Sequence, residues 1–227
     1  MILSNSSLHV TLLEGILQNG YAPSNQQLAE IFQTDVATIK KALFDLQEYH
    51  GVVLHPHEPK VWVIHPFSLA PTNFYVRSAK GEWWGNCAWC SLGIAALLKE
   101  DVTITTSLGA EGEQVRISIL NGAIQETGYV VHFPISMQKA WDNVVYTCSN
   151  MLVFRNEEQV VQWSKKHNIP MGDVQPIDKI WAFAQKWYGN HLDPNWQKWT
   201  LAEAQAIFEA FGLVHPVWNL EDSEERF

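Results

Sequence analysis

The 227-residue sequence predicts an α+β protein with an N-terminal winged-helix-like module followed by a larger thiol-bearing domain. Three observations predict it. Apolar residues recur at helical spacing up to residue 50. Short alternating, β-branched pieces then dominate through residue 133. Between them the segment 83–98, WWGNCAWCSLGIAALL, sets two thiols directly before an apolar run that reads as a buried helix.

Composition bounds the answer. Hydrophobic residues at 47% and charged residues at 17% describe a chain able to bury a sizeable core. A net charge of −9 argues against nucleic-acid binding, which needs a concentrated basic surface, and gives no support to docking on anionic membranes. No apolar run is long enough to span a bilayer, and the N-terminus shows no signal-peptide core. Three cysteines do not make a disulfide framework, so a reducing, cytoplasmic setting is expected. Eleven tryptophans imply aromatic clusters in the core or around a pocket.

In chain order, residues 6–20 carry Leu8, Leu12, Leu13, Ile16 and Leu17 at helical spacing and end at Gly20. A second helix starts at Ser24, with Gln27 completing a capping box, and a third at Asp35 as N-cap. Two β pieces follow, 52–54 and 61–64, joined by the proline-marked turn HPHEPK. Three helices and a hairpin form the winged-helix pattern, assigned to residues 1–66. Its third helix offers only Lys40 and Lys41 as cations, so a scaffold role is expected in place of DNA binding. His55, His57 and His65 read as solvated or core histidines, because no thiol or carboxylate partner is near them in sequence.

Residues 67–80 read as a connector with one strand-like piece, 74–76, and residues 81–227 as the larger domain. There, 90–98 is helical, 102–106 and 115–120 form a hairpin, and 129–133 is a strand. A short helix lies around 136–141. The apolar stretch 144–154 reads as a central strand carrying Cys148, and 157–167 as an amphipathic helix. The tail is helical and aromatic, with Trp181, Phe183 and Trp187, and ends in the charged EDSEERF.

Cys87-Ala-Trp-Cys90 is a CxxC, a spacing that serves zinc, redox disulfides and soft-metal capture. Only Cys148 could add a thiol, which disfavours a four-ligand zinc site, and no βαβ unit supports a thioredoxin reading. Burial of all three thiols as small hydrophobes is the plain alternative. Trp89 reads as core beside Cys90. Trp83 and Trp84 read as core or as walls of an apolar substrate pocket, and Ser149 and Asn150 as possible pocket neighbours of Cys148.

AWCSLG at 88–93, behind a winged-helix-like module, resembles the active-site segment of the alkylmercury (organomercurial) lyases, Ala-Trp-Cys-Ala-Leu-Asp. Cys148, fifteen residues before Trp163 of QWSKKH, matches that family's second catalytic cysteine and its following Trp-Ala-Ser-Lys-His. The resemblance covers residues 7–167. It implies that two thiolates capture mercury in R–Hg⁺ and that a proton delivered to carbon releases R–H. Cys90 and Cys148 carry over as the catalytic, mercury-binding pair, with Cys87 as an added metal ligand. Mercury(II) or another soft ion is the bound product, small thiols are co-reactants, and no resident cofactor is implied.

Two departures matter. Gly93 stands where the family has an aspartate, and Leu108 lies near the place of its third cysteine. Glu82, Glu100, Asp101 and Cys87 are the substitutes the sequence offers for the missing acid. Loss of such a group costs about 10²–10⁴-fold in rate, so the alternative is a soft-metal or thiol-dependent protein without carbon–mercury cleavage. The sulfurs of Cys90 and Cys148 must lie within about 8 Å to share one ion, given thiolate bonds of roughly 2.3 Å for zinc.

Overall fold

The computed structural model describes residues 2–221. Three helices open the chain: α1 (Asn5–Asn19), α2 (Asn25–Phe32) and α3 (Val36–Glu48). Ser4 and Ser24 close reciprocal capping boxes with Ser7 and Gln27, and Asp35 accepts from the Thr38 amide, so each start is fixed by local chemistry. Gly20 ends α1 at φ 79°, a left-handed position that costs glycine nothing.

Strands β1 (Val53–Leu54), β2 (Val61–Ile64), β3 (Phe67–Ser68), β4 (Phe74–Ser78) and β5 (Glu82–Gly85) come next. Helix α4 (Ala88–Leu98) leads into β6 (Val102–Ser107), β7 (Gln114–Leu120), β8 (Ala123–Ile124) and β9 (Val130–Phe133). The chain continues through α5 (Val144–Ser149), β10 (Val153–Phe154), α6 (Glu157–His167), β11 (Asp173–Pro176), α7 (Ile177–Tyr188) and α8 (Leu201–Ala210).

Eight strands form one sheet in the order β1-β2-β3-β5-β4-β6-β7-β8, and β10-β9-β11 form a second; every pairing is antiparallel. The larger sheet runs without a break from the β1–β2 hairpin into the thiol-bearing half, through β3 and β5. Residues 67–80, read from sequence as a connector, contribute β3 and the central strand β4. Trp83 adds a tie across the halves, its indole N–H donating to the Ile16 carbonyl of α1 at 3.0 Å.

The tail covers α4. Helix α7 packs along it, with Trp89 stacked on Phe183 at 4.7 Å and edge-on to Trp187 at 5.2 Å. The Trp218 indole donates to the Asp173 carboxylate at 2.7 Å and fixes the far end of this cover to the small sheet. No helix among the described residues is long and apolar enough to cross a membrane. Of the charged end expected at residues 221–227, all but Glu221 lies outside the described residues.

One element differs from the sequence expectation in a way that matters. Residues 144–154 are not a continuous strand: Cys148 lies in the last turn of α5, and only 153–154 pair as β10. The β-branched Val144, Val145 and Thr147 favour extended chain, but Asn143 caps the segment by accepting from the Tyr146 amide. Packing and the cap override the propensity.

Candidate metal-binding and catalytic site

Cys87 is the N-cap of α4, and its sulfur accepts from the Cys90 amide at 3.3 Å, in the manner of a serine cap. Cys90 follows in the first turn. The CxxC spacing therefore sets both thiols at a helix N-terminus, where free amides and the helix dipole favour a thiolate. The Cys87 thiol donates to Cys90 Sγ at 3.2 Å. All three cysteines are free and buried.

Helix α5 brings Cys148 to the same point from the other side. One ligand atom each from His65, Cys90 and Cys148 lies within 4.8 Å of the others. That is well inside the reach needed for two sulfurs to share one ion. His65 Nε2 stands 3.8 Å from Cys148 Sγ and 3.3 Å from the Asn86 amide nitrogen. Tyr188, at the end of α7, places its hydroxyl 3.4 Å from Cys90 Sγ.

The electrostatics separate the three sulfurs. Burial pushes the Cys90 thiol up, but hydrogen bonds from Cys148 and Cys87, the His65 charge and the Tyr188 hydroxyl outweigh it and hold Cys90 well below the ordinary thiol value. Burial pushes Cys87 well above that value, and its hydrogen bonds to Cys87 and then Cys90 do the same for Cys148. The surroundings thus favour ionisation of Cys90 over that of Cys87 and Cys148. Tyr188 is raised well above its usual value by burial and by the Cys90 charge, so its hydroxyl is the donor.

The sulfurs line a cavity of about 40 Å³ walled by Trp89, Trp141, Val144, Met151 and Trp187, with Lys198 as its one basic side chain of lysine or arginine type among the described residues. Lys198 is half-buried, its ammonium lying 4.2 Å from the Trp141 ring centre. Trp141 and Val144 also line a wider outer groove of about 610 Å³.

None of the carboxylates the sequence offered reaches this cavity. Glu82 pairs with Arg77 and Tyr75 on the exposed sheet face, Glu100 with Lys80, and Asp101 accepts from the Asn121 amide. Trp83 and Trp84 serve the core and a Tyr75 contact, not the pocket. Ser149 and Asn150 both donate to the Tyr146 carbonyl and turn away. His55 and His57 are exposed, as expected.

His65 is the correction: read as a solvated or core histidine, it stands against Cys148, brought there by β2 from 83 residues away. Tyr188 and Lys198 come from the tail, where the tryptophan density was the one hint of a pocket wall.

Fold and site together define a class: an α+β protein with a buried, soft-metal-type donor set of thiols and imidazole. Residues 67–189, a little over half of the chain, match the family model for alkylmercury lyase, and the chain belongs to that family. The fold is similar to that of the mercury-bound form of MerB2 in its crystal structure, with a TM-score of 0.64 at 17% identity, covering 84% of this chain and 91% of that one. No curated protein matches the sequence.

Proposed function

We propose that this protein is an organomercurial lyase in which Cys90 is the attacking thiolate and Cys148 the second mercury ligand. The observation that carries the reading is the convergence of Cys90 and Cys148 at one point, their sulfurs within 4.8 Å, in surroundings that lower the Cys90 pKa and raise that of Cys148. Two titratable groups driven apart by their surroundings assign the base and the acid.

The chemistry balances without an oxidant. Cys90 thiolate displaces X⁻ from R–Hg–X to give R–Hg–S. The Cys148 S–H then supplies a proton to carbon while its sulfur takes the metal, so R–Hg–S plus H–S becomes R–H plus S–Hg–S. The C–Hg and S–H bonds break; the C–H and second Hg–S bonds form. Cys87, held protonated and donating to Cys90, steadies the attacking thiolate; the proton spent from Cys148 returns when two small thiols exchange onto Hg²⁺ and leave their protons on the released cysteines. His65 is placed to steady Cys148 or to add a third ligand. Small thiols then remove Hg²⁺, and a reducing compartment suits three free cysteines.

The absence of any carboxylate from the described cavity lining favours a second reading, soft-metal binding without cleavage. One experiment separates them. Reduced protein is incubated with phenylmercuric acetate and excess small thiol, and released benzene is quantified beside Cys90→Ser and Cys148→Ser. Benzene that requires both cysteines supports the lyase. Tight mercury binding with no benzene from the wild type sinks it and leaves the binding protein.

A further inference from the structure

Behind the thiol cavity lies a second, smaller one of about 30 Å³, sharing His65, Trp187 and Lys198 as a common wall. His9 of α1 and His191, just after α7, line it. They are 1% and 6% exposed, their ring centres are 5.7 Å apart, and Nδ1 of each is buried with no hydrogen-bond partner. Trp196 stacks on His9 at 3.5 Å and closes one side.

Two orphaned polar atoms in one buried cavity call for an occupant, because leaving such groups unpaired costs about 1–3 kcal/mol each. We propose that this cavity is a binding site for one small monovalent anion of halide size, held by Lys198 and by the Nδ1–H groups of His9 and His191.

The chemistry of the lining selects the occupant. A lysine ammonium and imidazoles can all present N–H groups, and no aspartate or glutamate lines the cavity among the described residues. A metal ion is disfavoured, since His9 and His191 belong to no group of three candidate ligands among the described residues and a cation would face Lys198. Size excludes phosphate or sulfate, because about 30 Å³ holds roughly two waters.

The electrostatics agree. Burial depresses Lys198, and burial plus the neighbouring positive charges of Lys198 and His65 depresses His9 and His191, so a negative charge entering among them relieves all three. The site is independent of the lyase reading: it needs no mercury chemistry.

The test uses the full chain. Crystals grown without halide are soaked in sodium bromide and anomalous data are collected at the bromine edge. In parallel, thermal unfolding is followed in sodium bromide and in sodium gluconate, too bulky to enter, at equal ionic strength. The proposal expects an anomalous peak between His9, His191 and Lys198, with a higher Tm in bromide that Lys198→Met and His191→Phe each abolish. Ordered water alone, seen as density without anomalous signal, overturns it. So does a peak with no bromide-specific Tm shift, which is binding at crystal concentration only, or a shift that survives both substitutions. The wild-type peak and the wild-type Tm shift together decide the matter even if a variant folds poorly.

Discussion

The Tyr188 ring occupies the space that a side chain at Gly93 would need, and its hydroxyl stands 3.4 Å from Cys90 Sγ. A Cβ at position 93 would lie 2.9 Å from Tyr188 Cγ and nearer still to Cδ2 and Cε2. The missing carboxylate and the presence of a phenol beside the thiolate are therefore one feature, not two. Glycine here serves close approach between α4 and α7.

It follows that Gly93→Asp does not simply restore an acid. Overpacking and an unpaired buried carboxylate should destabilise the protein by at least ~1–3 kcal/mol. Tyr188→Ala alone leaves a cavity and costs a similar amount or more. In the double variant the aspartate enters the vacated space, so the two costs should fall short of additive by ~1 kcal/mol or more. Urea unfolding of the four proteins checks this; strict additivity would mean that the two positions do not compete for space.

Removing only the Tyr188 hydroxyl tests its hold on Cys90. Tyr188→Phe withdraws a donor from the thiolate, which raises the Cys90 pKa. A charge-assisted hydrogen bond of about 1.5 kcal/mol corresponds to roughly one pH unit. The pH at which iodoacetamide alkylates Cys90 at half its maximal rate should rise accordingly, with little change in Tm. An unchanged alkylation profile refutes the contact.

Cys87 has a structural task besides its hydrogen bond to Cys90. As N-cap of α4 it is replaceable by serine, a better cap, so Cys87→Ser should unfold within about 0.5 kcal/mol of the wild type, whereas Cys87→Ala should cost ~1 kcal/mol. Both should slow benzene release while retaining mercury binding by Cys90 and Cys148. Mercury titration against protein concentration, beside the turnover assay, separates the two effects; undiminished turnover would mean that the Cys87 hydrogen bond to Cys90 does not serve catalysis.

Stability should fall on both sides of neutrality. His191 is lowered to about 3 by burial and by the Lys198 and His65 charges, and His9 is lowered too. Buried neutral histidines contribute stability that is present above their unfolded value near 6.5 and lost as pH falls from there toward about 3. The raised thiols Cys87 and Cys148 behave oppositely: their contribution is present below the unfolded thiol value and lost as pH rises through their folded values. Cys90, depressed, gives stability present above the unfolded thiol value and lost as pH falls through its own folded value. Urea midpoints across the pH range should show a maximum near neutrality. His191→Phe should flatten the acid limb, and Cys148→Ser the alkaline limb; a limb unaffected by its variant contradicts that assignment.

By itself the sequence determined much of the local structure and singled out the cysteine pair that the fold brings together. Capping residues Ser24 and Asp35, helical spacing in α1–α3 and strict alternation in β6–β7 act over a few residues, so they are readable without a fold. Cys90 and Cys148 were legible because thiols are few and their spacing to Trp163 matches a family pattern. The tertiary structure alone decided the rest. It turned the Cys148 segment into a capped helix, because Asn143 and packing outweigh the β propensity of its neighbours. It brought His65 from just past β2, and Tyr188 and Lys198 from the tail, to one cavity across separations that no local pattern encodes. The charges follow from the same closure: a thiol's pKa is set by burial and by neighbours within a few ångströms, and those neighbours exist only once the chain has folded.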